Sequence, residues 1–147
     1  MPATYSFNDV VSTLVGPTGS ANLGYGASVA EEGIKIAAAG DKNTMRIGAD
    51  GGGMHSLHAD KSGVVTVRLL KVSPVNALLQ AMYDAQSASS TLWGQNVIVV
   101  RQLASGDITT ATRCAFKKKP DLDYAKDGDI VDWVFDAIHI DSVLGTY

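Results

Sequence analysis

The residues most capable of chemistry in this chain are His55 and His58, Cys114, two groups of carboxylates and two glycine clusters. His55-x-x-His58 offers two imidazoles to a metal, but a zinc site needs further ligands at a workable spacing, and none follows. Cys114 sits in an expected strand beside apolar residues with no electropositive helix terminus next to it, so a buried, inert thiol is expected rather than a nucleophile. Asp132 and Asp136 share a strand face, and Asp121, Asp123, Asp127 and Asp129 precede them. Paired carboxylates can shuttle protons, yet this spacing describes a solvated acidic rim without a pocket. Gly24-Tyr25-Gly26 and Gly51-Gly52-Gly53 complete neither a dinucleotide fingerprint nor a P-loop, and serve as turn glycines. Lys117-Lys118-Lys119 is too short for a phosphate track and is expected to pair with the acids four residues on or with acids on an adjacent subunit. No nucleophile, base and acid come together, so the chain is not expected to be an enzyme, and no metal or cofactor is expected.

Composition narrows the class. The 147 residues suit one domain, 1–147, with a sizeable core. Charged residues make up 18%, below the usual share, and the net charge of -3 supplies no basic footprint for tight nucleic-acid binding. A single cysteine excludes an internal disulfide framework. Met1 to Tyr5 lacks the basic and apolar regions of a secretory signal, and no apolar run approaches membrane-helix length, so no membrane segment is expected.

The elements that would carry these residues are mostly strands. Tyr5 to Val15 reads as a first strand with Tyr5, Phe7, Val11 and Val15 on one face, ended by Gly16-Pro17-Thr18-Gly19-Ser20. Asn22 to Gly33 reads as a long glycine-rich loop. Ile34 to Ala39 and Thr44 to Ile47 read as a hairpin across Gly40 to Asn43. Gly48 to Gly63 is the least regular stretch, and loops of that length are usually functional or disordered.

Val64 to Val72 alternates, with Val65, Val67 and Leu69 on one face. Ser73-Pro74 signals a helix start, followed by the apolar stripe Val75, Leu78, Leu79 and Met82. Asn96 to Leu103 is apolar on both faces, as a central strand would be. Ser105-Gly106-Asp107 turns it into Ile108 to Phe116, with Thr110, Thr112, Cys114 and Phe116 on one face. The closing strand runs from Asp129, with Val131, Trp133, Phe135 and Ala137 on one face. Beyond Ala137 the apolar side moves to even positions, which predicts a bulge or a change of cover. About seven strands and one helix predict a mainly β fold, an antiparallel β-sandwich or barrel with one flanking helix. Trp133, Phe135, Leu78 and Met82 are the expected core anchors.

Several segments together resemble the tail tube protein of contractile-tailed bacteriophages. They are Asn22 to Gly26, Ala30 to Ile34, Asp41 to Met45, Ile47 to Gly51, Met54 to Leu57, Ser62-Gly63, Arg68 to Lys71, Ala85 to Ser87, Leu92 to Asn96 and Ala115 to Tyr147. The likeness covers essentially the whole chain and carries no catalytic signature. It implies a fold similar to the type VI secretion tube subunit. It also implies hexameric rings whose inner strands join into one barrel around a lumen, and rings that stack into a tube. Implied partners are further copies of the chain, a tail sheath protein, a tape measure protein, a baseplate tube-initiating protein and a tail terminator, with DNA passing through unbound. Implied localisation is the virion tail, after synthesis in the host bacterial cytoplasm.

Within that frame, inter-ring contact is expected from the Gly48 to Gly63 stretch through Gly51, Gly52, Gly53, Met54, His55, Leu57 and His58. A second candidate loop offers Leu23, Tyr25, Glu31 and Glu32. Val64 to Val72 and Ile34 to Ile47 are expected to face the lumen. Alternatives are a tube subunit of a related injection machine (a tailocin or secretion system), a monomeric ligand-binding β-barrel, and an enzyme using His55, His58 or the acidic cluster.

Overall fold

The computed structural model describes residues 3–27 and 29–147, and for residues 30–32 the backbone alone. Nine strands and one α-helix follow a short 3-10 turn at Phe7–Asp9. In chain order they are β1 (Val10–Gly16), β2 (Gly19–Asn22), β3 (Val29–Ala38), β4 (Asn43–Ile47), β5 (Gly53–Leu57), β6 (Gly63–Leu70), α1 (Val75–Ser87), β7 (Asn96–Gln102), β8 (Asp107–Phe116) and β9 (Ile130–Val143). Seven of them form one antiparallel sheet in the order β2-β1-β7-β8-β9-β6-β3, curled into a half-barrel, while β4 and β5 pair only with each other. This is the mainly β, one-helix architecture expected.

Local rules explain the central strands. Val65, Val67 and Leu69 of β6 and Val131, Trp133 and Phe135 of β9 are buried in strict alternation, and the two strands pair residue for residue. The inward rows meet α1, whose stripe is Val75, Leu79, Met82 and Gln86. Phe116 joins the layers, edge-on to Tyr83 of the helix at 5.6 Å and against Phe135 of β9 at 4.8 Å between ring centroids, a geometry favoured by aromatic quadrupoles. The N-cap is Pro74, whose side chain makes no capping bond, rather than the expected Ser73; Ser73 Oγ still accepts from the Val75 amide and donates to the Ala27 carbonyl, which ties the helix start to the β2–β3 connection.

Several expectations are corrected. Leu78 is 51% exposed, whereas Trp133, Phe135 and Met82 are buried. At 100° per residue Leu78 sits roughly 70° from the centre of the buried stripe, and Tyr83 on the opposite flank packs against the core instead. In β1 the inward residues are Val10, Ser12 and Leu14, not Val11 and Val15, because Phe7 lies in the preceding 3-10 turn and shifts the phase. The Asn22 to Gly33 stretch is not a loop throughout, since β3 begins at Val29. Nor does Ile34 to Ala39 form a hairpin with Thr44 to Ile47: β3 pairs with β6, and β4 with β5.

Past Ala137 the inward side of β9 does change, and Ile140 packs against the core. The cause lies in the neighbouring strand. Between Ala111 and Cys114, both buried, β8 holds one residue more than β7 does opposite, and Arg113 there has φ of +53°. The bulge turns the β8–β9 ribbon, so both strands exchange their inward positions together.

Candidate assembly surfaces

The β4–β5 hairpin leaves the sheet beyond Ala38 and returns at Gly63. Its turn closes with the Gly48 amide donating to Gly52 O at 2.7 Å, and Gly51 takes φ of +89°, which a residue with a Cβ resists. Register places Met45, Ile47 and Leu57 on one face with Asn43, Gly53 and His55, and Arg46, Met54, Thr44 and Ser56 on the other. All hairpin strand residues except Ser56 are exposed, and Leu57 is 81% exposed. A lone two-stranded hairpin is marginally stable in water, so an uncovered row of Met45, Ile47 and Leu57 is a surface in want of cover.

The expected inter-ring residues Gly51, Gly52, Gly53, Met54, His55 and Leu57 therefore lie together on the turn and second strand of this hairpin, with His58 just beyond. The imidazoles serve the hairpin itself. His55 Nδ1 lies 3.1 Å from Asn43 Nδ2, and His58 Nε2 lies 3.2 Å from Thr44 Oγ1. Among the described residues no group of three His, Cys, Asp or Glu side chains comes close enough to hold a metal.

The second set of loop candidates is divided. Leu23 is fully buried in the core, which corrects its place among contact residues, while Tyr25 is 59% exposed. Gly24 lies hard against β1: a Cβ there would meet the Ser12 amide at 2.7 Å and the Val10 carbonyl at 2.8 Å, so close backbone approach explains that glycine. The side chains of Glu31 and Glu32 lie outside the described residues. Their backbone belongs to a three-residue excess of β3 over β6 between Val29 and Ile34, which interrupts an edge strand.

Other charged groups have structural partners. Lys71 reaches Asp123 O and stands 4.1 Å over the Tyr124 ring, holding the segment that precedes β9. Among the described residues Lys117, Lys118 and Lys119 form no ion pair within the chain, so they do not pair with the acids that follow them. Asp141 accepts from His139 and Lys61, and these bonds hold its carboxyl below the usual range. Hydrogen bonds from Ser62 do the same for Asp60. Cys114 is buried, and desolvation pushes its thiol up to about 11, so it is a poor nucleophile at neutral pH.

Sequence reasoning did not find the cavity at the opposite end of β3. It has a volume of about 510 Å³ and is lined by Phe7, Val10, Ile34, Val100, Gln102 and Thr109, among others. Gln102 is buried and donates from Nε2 to Ser6 O at 3.4 Å, but its Oε1 has no partner among the described residues.

An antiparallel half-barrel with one helix over its core and a projecting hairpin is the class of fold described here. A profile of the bacteriophage PhiTE tail tube protein family matches residues 2–145, and the chain belongs to that family of structural tail proteins. No curated protein sequence matches significantly. Among solved structures, the cryo-EM structure of the anti-feeding prophage cap, a tube-terminating cap, is similar in fold. It has a TM-score of 0.57 and 10% identity, over 99% of this chain and 95% of that one. Among the described residues no helix is long and apolar enough to cross a membrane.

Proposed function

We propose that this chain is the repeating subunit of the inner tube of a contractile phage tail. It forms hexameric rings that stack into the conduit through which the genome leaves the virion. The observation that carries this is the β4–β5 hairpin, which among the described residues pairs with no other strand and exposes Met45, Ile47 and Leu57. The open edges β2 and β3 of the large sheet add support, since strands of neighbouring copies continuing those edges would remove the hazard of free pairing. Family membership supplies the tail setting.

The lumen is assigned to the face of β6, β9 and β3 turned away from α1, which carries Thr66, Arg68, Asp132, Asp136 and Lys35. Arg68 lies 3.6 Å from Asp132 there, so its positive charge is matched within the subunit. DNA phosphates adhere through unmatched Lys and Arg, and a balanced wall lets the strand slide. The sheath, tape measure, tube-initiating and terminator proteins are the remaining partners in this reading, and the virion tail is its location. The chain acts by assembly and performs no catalysis. A tube subunit of a related injection machine would assemble in the same way, and genes for a capsid and terminase beside its own would separate the two.

The test is negative-stain electron microscopy of the purified chain across a concentration series, with sedimentation alongside. Stacked hollow rings are expected. A protein that remains monomeric at every concentration, including in the presence of its baseplate initiator, would overturn the proposal.

A further inference from the structure

The geometry points to the cavity beside the start of β3 as the receptor for the β4–β5 hairpin of a second copy of this chain. This inference rests on the stacking proposed above and adds which two surfaces meet. Three observations lead to it. The hairpin departs from the end of β3, after Ala38, whereas the cavity is lined by Ile34 and by Val29 at its start. Four residues of strand separate Ile34 from Ala38, roughly 13 Å, and each five-residue hairpin strand extends about 17 Å. One subunit thus carries a projection at one end of a strand and an opening at the other, the complement that a head-to-tail interface requires. Repeated without closure, such an interface builds a filament.

The chemistry of the two surfaces also agrees. The hairpin offers Met45, Ile47 and Leu57 in one row, and the cavity offers Phe7, Val10, Ile34 and Val100. Burying one row against the other removes apolar surface from water on both sides. Gln102 contributes a buried carbonyl oxygen without a donor among the described residues. That oxygen is closed to solvent in the subunit, so an entering N–H or O–H would satisfy it once the Gln102 side chain turns toward the cavity, and a buried acceptor left empty is costly. The cavity rim carries one charge of each sign, Arg101 and Asp107, and the Asp107 carboxylate is already engaged by the Gly145 amide. Asp50 lies in the hairpin turn, and Arg101, exposed and in no ion pair among the described residues, lines the cavity.

The experiment uses two full-length variants, each checked by circular dichroism for a native fold. Ile47→Asp spoils the hairpin and leaves the cavity intact. Thr109→Trp fills the cavity and leaves the hairpin intact. Each alone is expected to raise the concentration needed for tubes by about tenfold or more, as losing a central contact does. Mixed, they retain one working interface, so particles of two stacked rings are expected, longer than either variant alone makes and never extending further. Leu57→Asp and Val100→Phe serve as the second pair if either first variant misfolds. Long tubes from the cavity variant alone, or a mixture no different from its components, would overturn the receptor assignment while tubes from the wild-type chain keep the stacking reading standing. A wild-type chain that never stacks would overturn both.

Discussion

Gln86 of α1 and Asn96 of β7 exchange two hydrogen bonds of 2.8 Å, amide to amide, with neither side chain accessible to solvent. Asn96 Nδ2 also donates to the Cys114 carbonyl, and Gln86 Nε2 to Thr18 Oγ1. One pair of amides thereby links the helix C-terminus, the β1–β2 turn and the centre of the sheet. Because the site is dry, truncating one partner strands the other. Gln86→Leu is expected to cost about 1–3 kcal/mol in chemical denaturation. The double change Gln86→Leu with Asn96→Leu should cost less than the sum of the two singles. Gly16→Ala should be comparably harmful, since its Cβ would collide with Asn96 Oδ1.

Arg113 occupies the left-handed region with φ of +53° at the β8 bulge. Glycine adopts that conformation freely, and a β-branched side chain does so least readily. Arg113→Gly is expected to be at least as stable as the parent, and Arg113→Val less stable by about 1–2 kcal/mol, read as shifts in the urea midpoint. Equal stability of the two would show that the bulge relaxes to ordinary strand geometry.

Cys114 has a folded value of about 11 against an ordinary 9.0. The raised value means that the folded state holds its proton more tightly than the unfolded one. This contribution is complete below pH 9 and is lost as pH rises from 9 toward 11. Stability should therefore fall across that window in the parent and less so in Cys114→Ala. A thiol reagent at pH 8 should label the parent only after denaturant is added, and prompt labelling of the folded protein would contradict the burial.

The hairpin makes the opposite case. Leu57 and Met45 are exposed within the subunit, so Leu57→Ser and Met45→Ser should shift subunit stability by no more than about 0.5 kcal/mol. Under the assembly proposal the same changes should reduce stacking sharply. A large loss of subunit stability would mean that the hairpin packs on its own chain.

How much of this was legible follows from where period and partner coincide. Val65, Val67 and Leu69, and Val131, Trp133 and Phe135, alternate without interruption and face one continuous core, so period two reveals both the strand and its inward side. In β1, Tyr5 and Phe7 suggest the wrong phase, because the 3-10 turn that begins at Phe7 breaks the alternation before Val10. The β4–β5 hairpin is hard to see because no layer covers it, so no buried face disciplines its second strand. Pairing of β3 with β6 spans the whole hairpin, and periodicity within a segment does not say which distant segment it meets. The cavity joins Phe7, Ile34 and Val100, three residues that only folding brings together. Gln86 and Asn96 look like ordinary surface amides until the helix is laid on the sheet.

The position of β9 has a kinetic consequence. It is the last of the nine described strands, yet it lies between β8 and β6 and, among the described residues, is the one hydrogen-bonded bridge from β7–β8 to β6–β3. A nascent chain that has emerged only as far as Asp129 holds two partial sheets with nothing to join them. Their inward rows, including Phe116 and Val67, then lack the Phe135 and Trp133 that stand beside them in the finished sheet. Formation of the sheet must wait for late synthesis and for long-range pairing, which places this domain among slow, high-contact-order folders. Under the assembly proposal, the same delay withholds a finished surface from neighbouring copies during translation, so strand order by itself holds back polymerisation on the ribosome.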